Sequence, residues 1–420
     1  MPLLRFVCLL IFLSTFGEMS RPARGQSNPS APFAFVRHGR RKTRLPMQLQ
    51  RNLLVIKAML NGAGPFNFLL DTGVSTSIIT ASNLADSLHL RHGQQFRVVG
   101  AGGHDSGMLA YQTDSVRVTM SGVEAPNMTW LVLSNDVLNL SGYVGVPIHG
   151  IIGAELFNSF VVTLQPELNQ LRLNDPATFR APHGKSWTTI PLSLENNKAY
   201  LTAPVQVTDS LTLPLKLVLD TGASHALSLE LDSDPRLVAP TKRLTSDLGR
   251  GLTGTIHGFL GRVGSIQLGR HTLRSVLTSF PNTTDVHRRI DVARNGNVGN
   301  ELLKRFSLIV DYPHKRLLLR PNTQLRTPFE HDMCGIELLA TGPNYRRYLI
   351  LRVVPDSPAA AAGLEAEEEL LSINFIPVEV YTLTQIDRIL HSEDGRGLLI
   401  VLRRPDGSLH TTTVRLKRQI

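Results

Sequence analysis

The chain has 420 residues, 42% of them hydrophobic and 19% charged, a balance that excludes both a disordered chain and a polytopic membrane protein. Its formal net charge of +10 comes mostly from scattered arginines, with short basic runs at His38-Gly39-Arg40-Arg41-Lys42 and Lys417-Arg418. No stripe or binding motif accompanies that charge, so it reads as a basic solvated surface and no nucleic-acid partner is expected.

Residues 1–25 have the pattern of an export signal: Arg5 as the positive start, an apolar stretch from Phe6 to Phe16, and a small-x-small cleavage site at Ala23-Arg24-Gly25. The stretch is too short to cross a bilayer as a helix. The two cysteines are Cys8, inside that stretch, and Cys334, so a mature chain has no internal disulfide. The expected location is the bacterial periplasm or the outside of the cell, with membrane association if the signal stays uncleaved. Residues 26–45, rich in Ser, Pro and Arg, read as a leader or linker.

Short strands then begin at Leu53-Leu54-Val55-Ile56, with Asn61-Gly62 as a turn signal before the apolar run Phe66-Asn67-Phe68-Leu69-Leu70. That run ends in Asp71-Thr72-Gly73, followed by Val74-Ser75, a short helix around Ala81 to Leu88, and the glycine turn Gly100-Ala101-Gly102-Gly103. Further strands close at Ile151-Ile152-Gly153-Ala154-Glu155-Leu156. The plan then repeats. The apolar run Leu215–Leu219 enters Asp220-Thr221-Gly222, a second glycine turn holds Gly249 and Gly251, and Asn297-Val298-Gly299-Asn300-Glu301-Leu302 matches the closing motif. Three landmarks in the same order at nearly the same offset make an internal duplication, with each copy a small closed β-structure. A third module follows from about Phe329, with Gly335-Ile336, the run Ser357 to Leu364, a helix-like Thr384 to Leu390, and two strands parted by Pro405-Asp406-Gly407.

An acid at the end of a buried strand, with glycine where the backbone turns, puts a carboxylate on the floor of a cleft. Two such carboxylates facing each other share one proton. The ionised member draws a proton from water while the protonated member hydrogen-bonds the carbonyl under attack, which hydrolyses an amide without metal or cofactor. Thr72 and Thr221 are placed to lock the two turns together, and Gly73 and Gly222 let them close.

Over residues 46 to 322 this pattern resembles the aspartic proteases, specifically the retropepsin-like branch. The resemblance implies Asp71 and Asp220 as the catalytic pair, supported by Thr72, Gly73, Thr221 and Gly222, with flaps around Gly100, Gly102, Gly249 and Gly251. Both halves lie in one chain, so a monomer suffices for catalysis. Two departures stand out: Asn297 occupies a closing-motif position that is usually apolar, and the flaps lack an aligned aromatic, with Tyr111 the candidate in the first copy and Thr253 and His257 all that the second offers. Val74 and Ala223 stand where pepsin-like enzymes often carry a hydroxyl donor to the carboxylates, so the expected activity optimum is less acidic than pepsin's. His225 has no ligand-spaced partner and reads as peripheral, and the Asn-x-Ser/Thr sites at Asn127, Asn139 and Asn282 matter only on a eukaryotic secretory route.

The third module resembles a PDZ domain of the bacterial protease-associated type, which implies a peptide-binding loop at Gly335 and Ile336 that captures peptide C-termini by strand addition. It departs from the pattern at Glu367-Glu368, where Gly-Asp is usual; Arg346 and Arg347 read as solvated. The expected architecture is mainly β: two tandem retropepsin-like β-barrel lobes, residues 46–178 and 179–322, followed by an α+β PDZ-like domain over 325–420. The expected function is aspartic endopeptidase, acting on protein or peptide substrates. The alternative is a catalytically inactive peptide-binding or sensor protein on the same scaffold; keeping both aspartates and both glycines separates the two.

Overall fold

The computed structural model describes residues 31–98, 100–102, 107–252, 254–286 and 292–420. The export signal, the start of the leader, Gly103 and Thr253 lie outside the described residues. Each copy of the duplication forms a closed sheet, and the two follow the same strand order. In the first, Leu53–Leu60 pairs with Ala63–Leu70, which lies parallel to Gly150–Ile152; the order continues through Ile78–Ile79, Val123–Leu133, Met108–Met120 and Gln95–Val98. A pairing of Leu53–Leu60 with Met108–Met120 closes it. In the second, Lys198–Gln206 pairs with Thr212–Leu219, which lies parallel to Gly296–Val298, and a pairing of Lys198–Gln206 with Gly254–Leu268 closes it.

The apolar runs that enter the Asp-Thr-Gly turns form these central strands because they are covered on both faces. Phe68, Leu69 and Leu70 are buried, as are Leu217, Val218 and Leu219. Between the lobes, the strands Val161–Gln165 and Phe306–Asp311 pair antiparallel, Leu164 opposite Leu308, and join both lobes in one sheet. Strands Thr188–Pro191 and Lys42–Gln50 flank that shared sheet. One apolar cluster runs from Leu45 through Phe157 and Tyr312 to Phe329, so the lobes share a core.

The leader reading of residues 26–45 is corrected here from Ala34 onward, within the described residues. Ala34–Phe35 pairs with Val123–Leu133, and Lys42–Gln50 is a full strand against Gln170–Asn174. Thr43 and Leu45 point inward while Lys42 and Arg44 face solvent, a two-residue alternation that the basic composition had masked.

The third module is a sheet in the order Ile336–Thr341, Arg347–Val353, Glu369–Ile373, Gly397–Arg403, Leu409–Arg415, with helices Pro358–Ala361 and Leu383–Leu390. Thr382 and Gln385 cap the latter helix reciprocally. Glu367 adopts the left-handed φ of +71° that glycine would supply, and the buried Glu368 is held by His410, so the turn survives the departure. Arg347 and Arg346 are not simply solvated: Arg347 pairs with Glu369 in a two-pronged contact, and Arg346 donates to the Tyr381 carbonyl.

Candidate active site

Each Asp-Thr-Gly turn is positioned by the strand it leaves and the parallel strand beside it. Asp71 N donates to Ile152 O and Asp220 N to Val298 O, both at 3.0 Å, so the two closing motifs hold the two turns in equivalent places. The turns then grip each other. Thr72 N donates to Thr221 Oγ1 at 3.1 Å and Thr221 N to Thr72 Oγ1 at 3.0 Å. The hydroxyls donate onward across the lobe boundary, Thr72 to Leu219 O at 2.6 Å and Thr221 to Leu70 O at 2.9 Å.

This grip brings Asp71 and Asp220 together at the centre of the molecule, both fully or almost fully buried. A methyl group added to Gly73 would sit 3.0 Å from Asp71 Oδ1 and 3.1 Å from Asp220 Oδ1; one added to Gly222 would overlap the Asp71 carboxylate. Glycine is required at Gly222 because the opposite acid occupies the space a Cβ would take, and at Gly73 a Cβ would press tightly on both carboxylates. Asp71 Oδ1 accepts from Gly73 N at 2.6 Å, and Asp220 Oδ1 from Gly222 N at 3.1 Å. Burial pushes both carboxyl groups above the usual carboxylate range, Asp71 further because the charge of Asp220 adds to the effect.

The flap glycines fall on two hairpins. Gly100 and Gly102 lie in the tip between Gln95–Val98 and Met108–Met120; Gly249 and Gly251 lie at the end of Arg243–Gly251, which turns into Gly254–Leu268. The tips meet, since a side chain at Gly251 would run into the Ala101 carbonyl; the first tip is also held by Gly102 N donating to Asp285 O at 3.1 Å, on helix Thr283–Val286 of the second lobe. Ala101 belongs to a small apolar cluster with Ala223, which follows the second catalytic-type turn, and with Leu248, Ile256 and Leu260. Tyr111 is not at a tip: it is buried in the first lobe and stacks on His92 at 3.9 Å between ring centroids. His257 lies on the second hairpin and contacts Asp247 at 2.7 Å.

Two features were not foreseen. Asn297, the polar residue of the second closing motif, is fully buried and donates from Nδ2 to Asp220 Oδ2 at 2.7 Å. The donor that Val74 and Ala223 cannot supply therefore comes to one carboxylate from a neighbouring strand. In the third module, the amides of Gly335 and Ile336 are already engaged. Both donate to Asp332 Oδ2, at 2.5 and 3.1 Å, and Cys334 N donates to Asp332 Oδ1 at 3.0 Å. An internal carboxylate fills the place expected for a peptide terminus.

The strand that would accept a peptide is also covered by the first lobe. Helix Leu140–Val144 packs on strand Ile336–Thr341. A Cβ on Gly142 would lie 2.8 Å from Leu339 Cδ1, and one on Gly145 would lie 2.9 Å from Leu383 Cβ, so the absence of side chains there permits the approach. Arg51 reaches into the same seam, pairing with Asp387 at 2.7 Å and donating to Leu338 O at 3.4 Å, with its ring contact on Tyr143 at 4.3 Å. Next to it, Asn52 Nδ2 donates to Ser224 O at 3.1 Å, just past the second Asp-Thr-Gly. On the other side, Arg352 of the third module pairs with Asp247 of the second flap hairpin at 3.1 Å.

Comparison with known proteins agrees with this layout. Residues 56–156 match the family model described as aspartyl protease, and residues 349–404 match that of the PDZ domain. The chain thus carries an aspartic-protease-like domain followed by a PDZ domain. Among solved structures it is similar to the aspartic proteinase from Irpex lacteus, at 14% identity and a TM-score of 0.43, covering 68% of this chain and 99% of that one. It is also similar to Basic 7S globulin from soybean, at 11% identity and a TM-score of 0.38, covering 69% and 97% of the two chains. A shorter similarity, 20% of this chain and 22% of the other, is to a photosystem II D1 C-terminal processing protease, at 21% identity and a TM-score of 0.19. No curated protein matches the sequence.

Proposed function

We propose that the chain is an aspartic endopeptidase that hydrolyses peptide bonds with a water activated by the Asp71–Asp220 pair, as a monomer and without a cofactor. The observation that carries this reading is the pair itself: two buried carboxylates on gripped, equivalent turns, each with a glycine yielding space to the other acid. Buried together, they cannot both ionise at neutral pH, so the pair holds one proton. The carboxylate takes a proton from water as it adds to the peptide carbonyl; the carboxyl donates to that carbonyl oxygen and the proton gained passes to the departing amine nitrogen. The meeting flap tips supply a cover that excludes bulk water.

The test is digestion of an unstructured protein by the full-length chain, read by mass spectrometry, with Asp71→Asn as the control; a wild-type protein that cuts nothing across the pH range sinks the reading. Gly222→Ala is expected to lower cleavage by about 100-fold with the fold retained by circular dichroism, because its methyl displaces the Asp71 carboxylate.

The pH dependence follows from the direction of the shifts. Both acids titrate above their usual range, so the lower limit of the singly protonated window and its upper limit both move to higher pH. Activity is expected to peak above about pH 3, and a maximum in kcat/KM below that value would overturn the assignment. Export, read from residues 1–25, belongs to the same proposal; amino-terminal sequencing of the mature protein from a fractionated cell tests it.

For the PDZ domain we propose a peptide-binding role that is conditional: a peptide carboxylate gains the Gly335 and Ile336 amides only by displacing Asp332.

A further inference from the structure

We propose that Asn297 and His225 act together as positioning residues that settle the negative charge of the pair on Asp220 and leave the shared proton on Asp71. This inference rests on the protease reading above and assigns distinct roles within it, Asp220 as the base toward water and Asp71 as the acid toward the carbonyl.

The two lobes are built alike, yet the pair is held unequally. Ile151 lies opposite Leu69 in the first lobe and Asn297 lies opposite Val218 in the second, the same register position on the strand beside the catalytic-type turn. The apolar Ile151 offers its lobe's aspartate no donor, whereas Asn297 gives Asp220 Oδ2 an N–H at 2.7 Å while Gly222 N serves Oδ1. Both Asp220 oxygens are therefore engaged. In Asp71, Oδ1 is held by Gly73 N and the nearby Gly222 amide also favours the charged form, but Oδ2 is buried without a hydrogen-bond partner among the described residues. Donors on both oxygens favour the charged form, so Asp220 is the carboxylate.

His225 fixes which end of Asn297 faces the acid. A carboxylate only accepts, so Asn297 must present its amide nitrogen to Asp220 and its Oδ1 to His225 Nε2, 3.1 Å away. That acceptor requires the proton on His225 Nε2. The other ring nitrogen, Nδ1, is buried with no hydrogen-bond partner among the described residues, so a second proton there would be stranded. Burial lowers the His225 pKa to about 4, which keeps the ring neutral and this tautomer in place above that pH. The remaining ionisable groups that face the pair are Lys198 and Arg294, which favour the charged form, and Tyr312, whose hydroxyl donates to Thr72 O at 3.4 Å, with Tyr200 beside it. Arg294 also pairs with Glu230 at 3.1 Å. Lys198 acts on both aspartates, whereas the Asn297 hydrogen bond and the charge of Arg294 act on Asp220 alone; they work in the same direction, and Asn297 is the one of the two that touches the carboxylate.

The test uses the full chain with Asn297→Ile, which copies the first lobe, His225→Phe, which removes the orienting donor, and His225→Gln, which restores an N–H. Loss of a hydrogen bond to a charged group is expected to raise the acid limb of kcat/KM by about one pH unit or more in Asn297→Ile and to lower kcat about ten-fold, with KM little changed. His225→Phe is expected to move the limb the same way by less, and His225→Gln to bring it back. An acid limb that stays at the wild-type pH in both Asn297→Ile and His225→Phe, each folded by its thermal melt, overturns the proposal; if Asn297→Ile does not fold, His225→Phe decides. A second readout needs no activity: carbon-13 carboxyl titration of aspartate-labelled protein, with the two resonances assigned by their loss in Asp71→Asn and Asp220→Asn. The lower-titrating resonance should be that of Asp220 and should move up in Asn297→Ile. If wild type cuts no substrate the protease reading fails, while equal titration of the two aspartates in wild type sinks this inference alone.

Discussion

Asp71→Asn and Asp220→Asn are each expected to abolish cleavage, by about 10⁴-fold, while the protein becomes more resistant to heat at neutral pH. Asparagine keeps the shape of aspartate and can still accept from Gly73 N or Gly222 N, so the gripped turns remain; in Asp220→Asn the new amide nitrogen also meets the Asn297 donor, so the stability gain is smaller there than in Asp71→Asn. What disappears is a group able to exchange a proton with water or with the substrate carbonyl. The gain in stability has a separate cause: burial of the two acids opposes ionisation, and Asp220's charge pushes Asp71 up further. Replacing either acid removes that repulsion and lets the survivor ionise at lower pH. The check is paired: residual cleavage by mass spectrometry, and a thermal melt of each variant beside wild type at pH 7. A variant that keeps a tenth of its cleavage would refute the shared-proton pair.

The second large effect is on the seam between the protease lobes and the PDZ domain. Arg51→Met is expected to weaken the docking of that domain by about 3–5 kcal/mol, because it leaves Asp387 largely buried without its partner. The loss is not of one contact alone. Arg51 also favours the charged form of the part-buried Glu337, whose carboxyl desolvation raises to about 8, and donates to Tyr143 O at 3.0 Å. The double variant Arg51→Met with Asp387→Leu is expected to recover most of the loss, since replacing both ends of a buried pair by apolar groups is close to neutral. Limited proteolysis at the seam and hydrogen exchange of strand Ile336–Thr341 read the docking. Equal protection in the single variant and wild type would refute it.

The parts of the site that were legible in the sequence are those whose chemistry is local. An apolar run ending in Asp-Thr-Gly carries its own geometry, and its recurrence at 71 and 220 with a later glycine motif was enough to place both turns and the threonine grip. What stayed hidden depends on residues far apart in the chain. Asn297 looked like a flaw in an apolar strand until its amide was seen on Asp220, 77 residues earlier in the sequence. His225 looked peripheral because it has no ligand-spaced neighbours, and its partner is the same Asn297. Asp332 was closer to hand, three residues ahead of Gly335, but a turn-forming acid gives no sign that it will curl into its own loop amides. The strand at Lys42–Gln50 was obscured by charge, although Thr43 and Leu45 already alternate with Lys42 and Arg44.

The two-residue turn at Arg51 and Asn52, both in the left-handed region with φ of 45° and 63°, has a consequence for how this protein can be taken apart. One residue holds the PDZ seam and the next holds the carbonyl of Ser224 beside a catalytic-type turn. A module that can be exchanged between proteins must leave its neighbours' surfaces unchanged when it goes. Here, cutting away residues 325–420 would strip Arg51 of Asp387, uncover the Gly142 face on which Leu339 packs, and loosen the turn that braces the second lobe. A truncated chain therefore reports on a disturbed candidate site as much as on a missing PDZ domain. The single change at Arg51 is the cleaner instrument, because it parts the modules and keeps both.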